Sequence, residues 1–223
     1  LITNRESGLS ALATALTGYA PRWGLHLEQN RMPNIHVKVT CDLDKLSDWS
    51  ILGDWIGKQV LPDWKLPWGP MPFIEGLPEH ASFASKKALT AAAANYGTPM
   101  LWASGHSSDP PLDKNSDGFW MAPKGGWQGE LVFGEQELES RYQELAPKGK
   151  VDLIVIGCPQ ASVEEIRRTA SAVRSHAEMG QKIPDQRLWV FTSQDNYDLA
   201  RGDGSIDVLE DSGAVVLRDT CPE

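Results

Sequence analysis

Two stretches of the chain have hydrophobic patterns typical of β-strands. Residues 153–156 are an uninterrupted apolar run, and because neither face of such a strand tolerates water, the run predicts a central strand covered on both faces of a parallel sheet. Residues 34–40 alternate apolar and polar side chains. This period of two predicts a half-buried strand whose wet face carries His36, Lys38 and Thr40.

Apolar residues elsewhere recur at spacings of three and four, which predicts helices. The predicted helices are residues 7–16, 43–60, 80–96, 135–145, 162–176, 195–201 and 205–211, and further strands are predicted at 98–103, 151–156, 188–192 and 214–218. Residues 61–78 are rich in proline and 113–134 in glycine, so both are predicted to be irregular.

The predicted strands and helices alternate, most regularly from residue 150 onward. Such alternation is typical of right-handed βαβ units, so we expect an α/β protein with parallel sheets. We expect two lobes, an N-terminal α/β lobe of residues 1–134 and a C-terminal βαβ lobe of residues 135–223. Leu1 in place of methionine suggests a piece of a longer polypeptide, with an upstream part missing.

Two cysteines follow predicted strands and precede prolines. Cys158 comes after residues 153–156, and Cys221 comes after the apolar residues 214–217. Ligands of α/β proteins bind where strand ends and helix N-termini converge, and thiolates on such turns commonly hold iron–sulfur clusters. The alternative is that both thiols are inert core residues, since free cysteine is often buried.

Composition excludes several classes of function. The chain has 223 residues, three cysteines, 41% hydrophobic residues and a net charge of −9. This charge argues against nucleic acid and anionic membranes as partners, and an odd number of cysteines does not form a disulfide framework. Without an apolar run of membrane-spanning length or a signal-type N-terminus, we expect a reducing, cytoplasmic location.

Other candidate residues lie at a helix start and in polar loops. Asn4, Arg5 and Glu6 precede a predicted helix, where N–H groups and a guanidinium would meet a substrate carboxylate; the alternative is that Asn4 caps the helix and Glu6 favours its dipole. Further candidate substrate-binding residues in loops are His26, Arg31 and His106. No dinucleotide fingerprint, P-loop or nucleophile elbow occurs.

An ordered set of short motifs resembles the aconitase X family, the large subunit or domain of iron–sulfur hydro-lyases. The motifs are Thr3-Asn4-Arg5-Glu6, Gly18-Tyr19-Ala20-Pro21, Gly24-Leu25-His26, Asn30-Arg31, Leu52-Gly53, Ile56-Gly57, the alanine-rich helix, Gly157-Cys158-Pro159 and Asp219-Thr220-Cys221. Each motif alone is weak, but their order along the whole chain is specific.

The resemblance implies an aconitase-like α/β fold with three-layer lobes and a cluster held by three cysteines, two of which correspond to Cys158 and Cys221. It does not fix the cluster type, 2Fe–2S or 4Fe–4S. The family's third ligand lies in an upstream Cys-Thr-Pro-Tyr type segment that this chain lacks, and Cys41 does not match it. The family's small swivelling domain, with a serine implicated in proton abstraction, is absent too, so no catalytic residue is assigned.

The resemblance also implies the reaction. Members dehydrate cis-3-hydroxy-L-proline or mevalonate 5-phosphate, and we expect the former, with Asn4, Arg5 and Arg31 holding a carboxylate or phosphate. The chain departs from the family at Gln160, where histidine is common, and in the loop at residues 105–110. Two other hypotheses are a non-catalytic subunit that binds an active partner and a metal-free α/β domain.

Overall fold

Two compact units divide the chain, Leu1–Leu145 (unit 1) and Ala146–Glu223 (unit 2). The computed structural model describes residue 4 and residues 8–60 and 69–222. Each unit has its own parallel sheet, and the expected α/β class with flanking helices is confirmed.

Unit 1 is built on a four-stranded sheet in the described residues, with strand order β3-β2-β1-β4 and every pair parallel. Its strands are β1 Ile35–Val39, β2 Pro72–Glu75, β3 Trp102–Ala103 and β4 Gly129–Phe133. Its helices are α1 Gly8–Thr17, α2 Leu46–Val60, α3 Phe83–Asn95 and α4 Glu135–Leu145, with short 3₁₀ turns at Gly24–His26 and Glu28–Arg31.

Helices α2 and α3 pack unusually closely in unit 1. A Cβ atom built on Gly53 would lie 2.1 Å from the carbonyl oxygen of Leu89 and 3.0 Å from the Cβ of Ala92. One turn later, a Cβ on Gly57 would lie 2.7 Å from the ring of Tyr96. The close approach of α2 to the alanine-rich helix α3 therefore depends on two glycines of α2.

Helix α4 belongs to unit 1, although the sequence placed residues 135–145 in the second lobe. Its Arg141 is only 5% exposed and donates hydrogen bonds to the Asp54 carboxylate and, at 3.0 Å, to the Tyr96 hydroxyl. The hydrogen bond with Asp54 is the main cause that raises the pKa of Arg141. The buried Arg141 guanidinium thus connects α4 to Asp54 of α2 and to Tyr96 at the end of α3. The boundary between the two units therefore follows Leu145.

Two strands of this sheet were predicted as irregular chain. Strand β2 lies in the proline-rich stretch, yet Phe73 and Ile74 are fully buried. Pro72 is the first residue of the strand, a position where its missing N–H is tolerated. Strand β4 ends a glycine-rich stretch, and its register with β1 is set by pairing rather than by its own sequence.

Unit 2 follows the predicted βαβ pattern closely. Its sheet, in the order β5-β6-β7, is parallel and has the strands β5 Ile154–Ala161, β6 Leu188–Thr192 and β7 Val215–Arg218. Its helices are α5 Val163–Glu178, α6 Gln194–Gly202 and α7 Ser205–Asp211. Ser162 caps α5, and Glu165 completes a reciprocal capping box with it.

The prediction that residues 153–156 form a central strand is wrong. In the described sheet of unit 2, β5 is an edge strand and β6 is central. Ile154 is 48% and Val155 44% exposed, whereas Val190 of β6 is fully buried. An apolar run reports strand propensity, and sheet position depends on partners that such a run does not encode.

Membrane insertion has no helical candidate in the described part of the chain, where every helix falls short of the length and hydrophobicity that a crossing needs.

Candidate functional site

Cys158 lies in a bulge of β5. Regular pairing with β6 joins Ile156 to Val190 and resumes only where Ala161 meets Thr192. At Gly157, where φ is +137°, a Cβ would lie 2.5 Å from the Cβ and 2.7 Å from the carbonyl oxygen of Phe191, so only glycine fits at the start of the bulge. The bulge leaves Cys158, which precedes a cis proline, exposed.

Cys221 follows β7 on a segment anchored to the start of α6. The backbone N–H of Asp219 donates to the carbonyl of Thr192 at 2.9 Å, and the Asp219 carboxylate accepts from the N–H of Gln194 at 2.9 Å. Asp219 itself has a left-handed φ of +51°. These bonds fix the course of the chain just before Cys221, which is also exposed.

A hydrogen bond joins the two cysteine segments. The side-chain amide of Gln160, two residues after Cys158, donates to the carbonyl of Thr220 at 3.2 Å. The bulge of β5 and the chain after β7 therefore meet across the end of β6. Gln160, noted in the sequence as a departure from the family pattern, has a structural role here.

The donor set fits part of an iron–sulfur ligand set. Two exposed thiols, one in a strand bulge and one just after another strand of the same sheet, are the ligand type that such clusters use. Within the described ranges no group of three or more His, Cys, Asp or Glu side chains could hold a metal ion. The described residues would therefore offer such a cluster two thiolates, those of Cys158 and Cys221, and a cluster that needs three would need a further ligand.

Cys41 has a different environment from the other two cysteines. It is partly buried, and burial is the main cause that raises its pKa, with the nearby carboxylates of Glu135, Asp48 and Asp42 adding to the effect. A raised pKa lowers the thiolate fraction at neutral pH, and the thiolate is the form that binds metals and reacts. Cys41 can therefore serve as an internal control for the reactivity of Cys158 and Cys221.

We expect iodoacetamide to alkylate Cys158 and Cys221 of the reduced, metal-free chain about ten-fold faster than Cys41 at pH 8. Because its pKa lies above the ordinary value of 9.0, the Cys41 rate should still rise as the pH passes 9. Peptide mass spectrometry over a time course measures all three rates in one sample. Equal alkylation rates for the three thiols would contradict the difference in exposure between Cys41 and the other two cysteines.

Two of the predicted substrate-binding residues stabilise a turn in unit 1. The Asn4 amide donates to the carbonyl of Trp23 at 3.1 Å and accepts from the N–H of Leu25 at 2.6 Å. His26 donates from Nδ1 to the carbonyl of Pro21 at 3.0 Å. Arg5 and Glu6, also predicted to bind substrate, lie outside the described residues.

Arg31 and His106 lie together in one cleft, which we call the Arg31 cleft. It has a volume of about 830 Å³. Its lining residues are Glu28, Arg31, Met100, Leu101, Trp102, His106, Ser107, Ser108 and Asp109. Nε of Arg31 is buried and has no hydrogen-bond partner among the described residues, while the Arg31 carbonyl accepts from the Trp102 indole at 2.8 Å. A buried, unpaired guanidinium N–H is a good donor for a ligand anion.

A further pair of polar residues, which sequence reasoning missed, lies on β1 and β2. His36 is only 8% exposed, and its Nε2 contacts the carboxylate of Glu75. The imidazole stacks on Trp127 with ring centres 4.9 Å apart. The alternating pattern placed His36 on a wet face, and no sequence signal links it to a carboxylate 39 positions away.

Comparisons with known proteins agree with the motif analysis. Residues 151–223 match the family model of the aconitase X third domain. The crystal structure of Thermococcus kodakaraensis aconitase X in its holo-form is similar in fold, with a TM-score of 0.76 and 24% identity, over 98% of this chain and 52% of that one.

Curated relatives extend the similarity over nearly the whole chain. The phosphomevalonate dehydratase large subunit of Methanothermobacter thermautotrophicus is 33% identical over 98% of this chain and 49% of its own length. The cis-3-hydroxy-L-proline dehydratase of Pseudomonas aeruginosa is 29% identical over 98% of this chain and 36% of its own length. The chain thus spans about half of these relatives or less. By motif order, fold and relatives, it belongs to the aconitase X family.

Proposed function

We propose that this chain is part of an iron–sulfur-dependent hydro-lyase that eliminates water from a small hydroxy acid. The observation that carries the proposal is the pair of exposed cysteines, Cys158 and Cys221, on segments that the Gln160–Thr220 hydrogen bond joins. The relatives' names, which describe dehydratases, support the reaction class. The alternatives of a non-catalytic subunit and a metal-free domain do not explain why both thiols are exposed on adjoining segments.

Cys158 and Cys221 would hold the cluster with a third thiolate from a segment upstream of this chain. When bound, a cluster with one iron free of protein thiolate supplies a Lewis acid for a substrate hydroxyl. Gly157 and Asp219 keep the two cysteine-bearing segments in place. A small swivelling domain or subunit is the proposed partner, consistent with relatives named as large subunits.

The Arg31 cleft would bind the acid group of the substrate. Leaving a buried guanidinium N–H unpaired is costly, and a carboxylate or phosphate oxygen would satisfy the Arg31 Nε. His106, which also lines this cleft, offers a second donor or acceptor. Arg5 remains a proposed contributor, whereas the Asn4 amide already holds the turn at Trp23–Leu25.

We propose cis-3-hydroxy-L-proline as the substrate. A second candidate is mevalonate 5-phosphate, favoured by the 33% identity to a phosphomevalonate dehydratase large subunit. Both carry the hydroxyl and the acid group that the proposed reaction needs.

The test is turnover by the intact enzyme, with the upstream segment and the small domain or subunit present. The cluster is loaded without oxygen, and the loss of each substrate and the appearance of its dehydrated product are followed by NMR. Dehydration of either substrate supports the proposed reaction and identifies the substrate. Iron-loaded enzyme that dehydrates neither would contradict it.

In the same assay, Arg31→Met should raise KM by roughly 10- to 100-fold, because a charge-assisted hydrogen bond to the acid group is lost. Arg22→Met, an exposed arginine outside the cleft, is the matched control and should leave KM unchanged. An unchanged KM for Arg31→Met would show that the Arg31 cleft does not bind the acid group of the substrate.

A further inference from the structure

The helices in the described part of unit 2 lie on one face of its sheet. The crossovers from β5 to β6 and from β6 to β7 both move one strand in the same direction. Right-handed connections therefore place α5, α6 and α7 on the same side. The packing agrees, because buried residues of all three helices form one cluster with Leu188 and Val190 of β6. These helices leave the opposite face of the sheet without a helical layer.

That opposite face presents a row of three apolar register partners, Val155, Trp189 and Val215, which we call the Trp189 face. Side chains alternate along a strand, so these three point away from the helices. Val155 is 44% and Trp189 36% exposed, whereas Phe191, farther along the same face, is buried. The open area therefore lies toward the amino ends of the strands. Parallel sheets are almost always covered on both faces, so this area lacks a covering layer.

The apolar surface continues onto the edge of the sheet. In the described sheet of unit 2, β5 is an edge strand. Val151 and Leu153, just before it, are 45% and 42% exposed. Contiguous exposed apolar surface of this kind marks a site of interaction with another protein surface. The same residues belong to the stretch whose sequence predicts a strand covered on both faces, so a partner on this face would satisfy that pattern.

Trp189 is held in place as an apolar anchor. Its indole N–H donates to the carbonyl of Gln186 at 2.9 Å, so the ring needs no polar group from a partner. The centre of its ring lies 6.3 Å from that of Phe191, which is buried. Tryptophans fixed in this way are typical of the centre of protein interfaces. The Trp189 face therefore fits an apolar partner better than a charged one.

The length of the relatives favours one occupant, the rest of a longer polypeptide. This chain matches 52% of the solved aconitase X chain and 49% of the Methanothermobacter thermautotrophicus large subunit. About half of each protein therefore lies outside the matched segment. A segment tethered in the same polypeptide has an effective concentration on the order of millimolar, which a second copy of the chain does not reach in dilute solution.

We propose that the Trp189 face is an interface covered by an apolar segment of the full-length large-subunit polypeptide, from the part that this chain does not span. The inference rests on the proposed function only because it treats the chain as part of a larger enzyme. It depends on neither the cluster nor the substrate. With this partner in place, the open area of the sheet would be covered on both faces.

The test is hydroxyl-radical footprinting, read by peptide mass spectrometry, of this chain and of the full-length polypeptide without the small domain or subunit. Trp189 should be oxidised about ten-fold more slowly in the full-length polypeptide, because the centre of an interface excludes water. Met179, which is 64% exposed at the end of α5, is the control in the same sample. It should be oxidised equally in both proteins.

A substitution tests the same surface by a second readout. Val155→Lys should change the Tm of this chain by less than about 2 °C, because the side chain is half exposed. It should lower the Tm of the full-length polypeptide by about 5 °C or more, because a charge is then buried without a partner. Leu199→Lys, on the exposed side of α6, is the matched control and should change neither Tm.

Equal oxidation of Trp189 in the two proteins, or equal Tm shifts for Val155→Lys, would overturn the proposal. Protection that grows with the concentration of this chain alone would assign the face to a second copy and overturn it too. So would protection that appears only after the small domain or subunit is added. Protection of Trp189 in a full-length polypeptide whose complete, iron-loaded enzyme dehydrates neither substrate would contradict the proposed function and leave the interface standing.

Discussion

Replacing Gly53 with alanine should destabilise unit 1 by about 3 kcal/mol, at the upper end of the usual cost of overpacking. The added methyl would lie 2.1 Å from the backbone carbonyl oxygen of Leu89. A backbone atom inside α3 cannot rotate away as a long side chain can, so α2 and α3 must separate. That separation also loosens Asp54, the next residue, from Arg141.

Gly8→Ala is the matched control, because Gly8 is also helical in unit 1 and a Cβ there would meet nothing within 4 Å. It should be neutral or slightly stabilising, by up to about 1 kcal/mol, since alanine favours the helix. Urea denaturation followed by circular dichroism and by tryptophan fluorescence measures both variants. A Gly53→Ala chain as stable as Gly8→Ala would show that the two helices can shift apart at no cost.

Replacing Cys158 or Cys221 with serine should cost the intact enzyme its bound iron and more than about 100-fold of its turnover. Mutating a residue that only hydrogen bonds to a metal ligand typically lowers metal affinity or activity by about 10- to 100-fold, so mutating a direct ligand should lower them further. A serine hydroxyl is a harder and less acidic ligand than a thiol, so it replaces a thiolate poorly. Iron and sulfide analysis and the visible absorption of the purified protein are the measurements.

Cys41→Ser is the control, and it should keep both the iron and the activity, because the partly buried Cys41 thiol has a raised pKa and is not proposed as a ligand. Full iron content in the Cys158→Ser or Cys221→Ser protein would contradict the cluster assignment. So would colourless, iron-free protein with full activity.

Local sequence signals predicted unit 2 well. Ser162 and Glu165 form the capping box that begins α5, and the short apolar run 188–192 is β6 itself. These elements are defined by neighbours in sequence, so their signals are strong. The edge position of β5 could not be predicted, because apolar residues 154 and 155 would look the same in a central strand.

The parts of unit 1 that the sequence missed depend on distant partners. Strand β2 forms because Phe73 and Ile74 pair beside β1, against the irregular structure that the surrounding prolines suggest. His36 occupies a polar position in the alternating pattern of β1. It is nevertheless buried, because Glu75 and Trp127 from two other segments of the chain contact it. Long-range contacts of this kind decide burial, and short sequence windows do not contain them.

For the candidate site, the sequence located single residues better than their grouping. It singled out Arg31 and His106, which line one cleft of unit 1. It also singled out Cys158 and Cys221, which lie on adjoining segments of unit 2. It also grouped Asn4 and His26 with them, although these two side chains hydrogen bond to the backbone of a turn. Polar residues in loops serve turns as often as ligands, and only the backbone partners distinguish the two uses.

The bulge of β5 and the segment after β7 adjoin only when all three strands of unit 2 are in register. An ion that needs both thiols therefore binds the assembled sheet and has no equivalent site in the unfolded chain. By mass action, each ten-fold rise in its free concentration above the dissociation constant adds about 1.4 kcal/mol to the stability of the folded form. Cofactor supply would thereby set how much of unit 2 survives thermal and proteolytic stress.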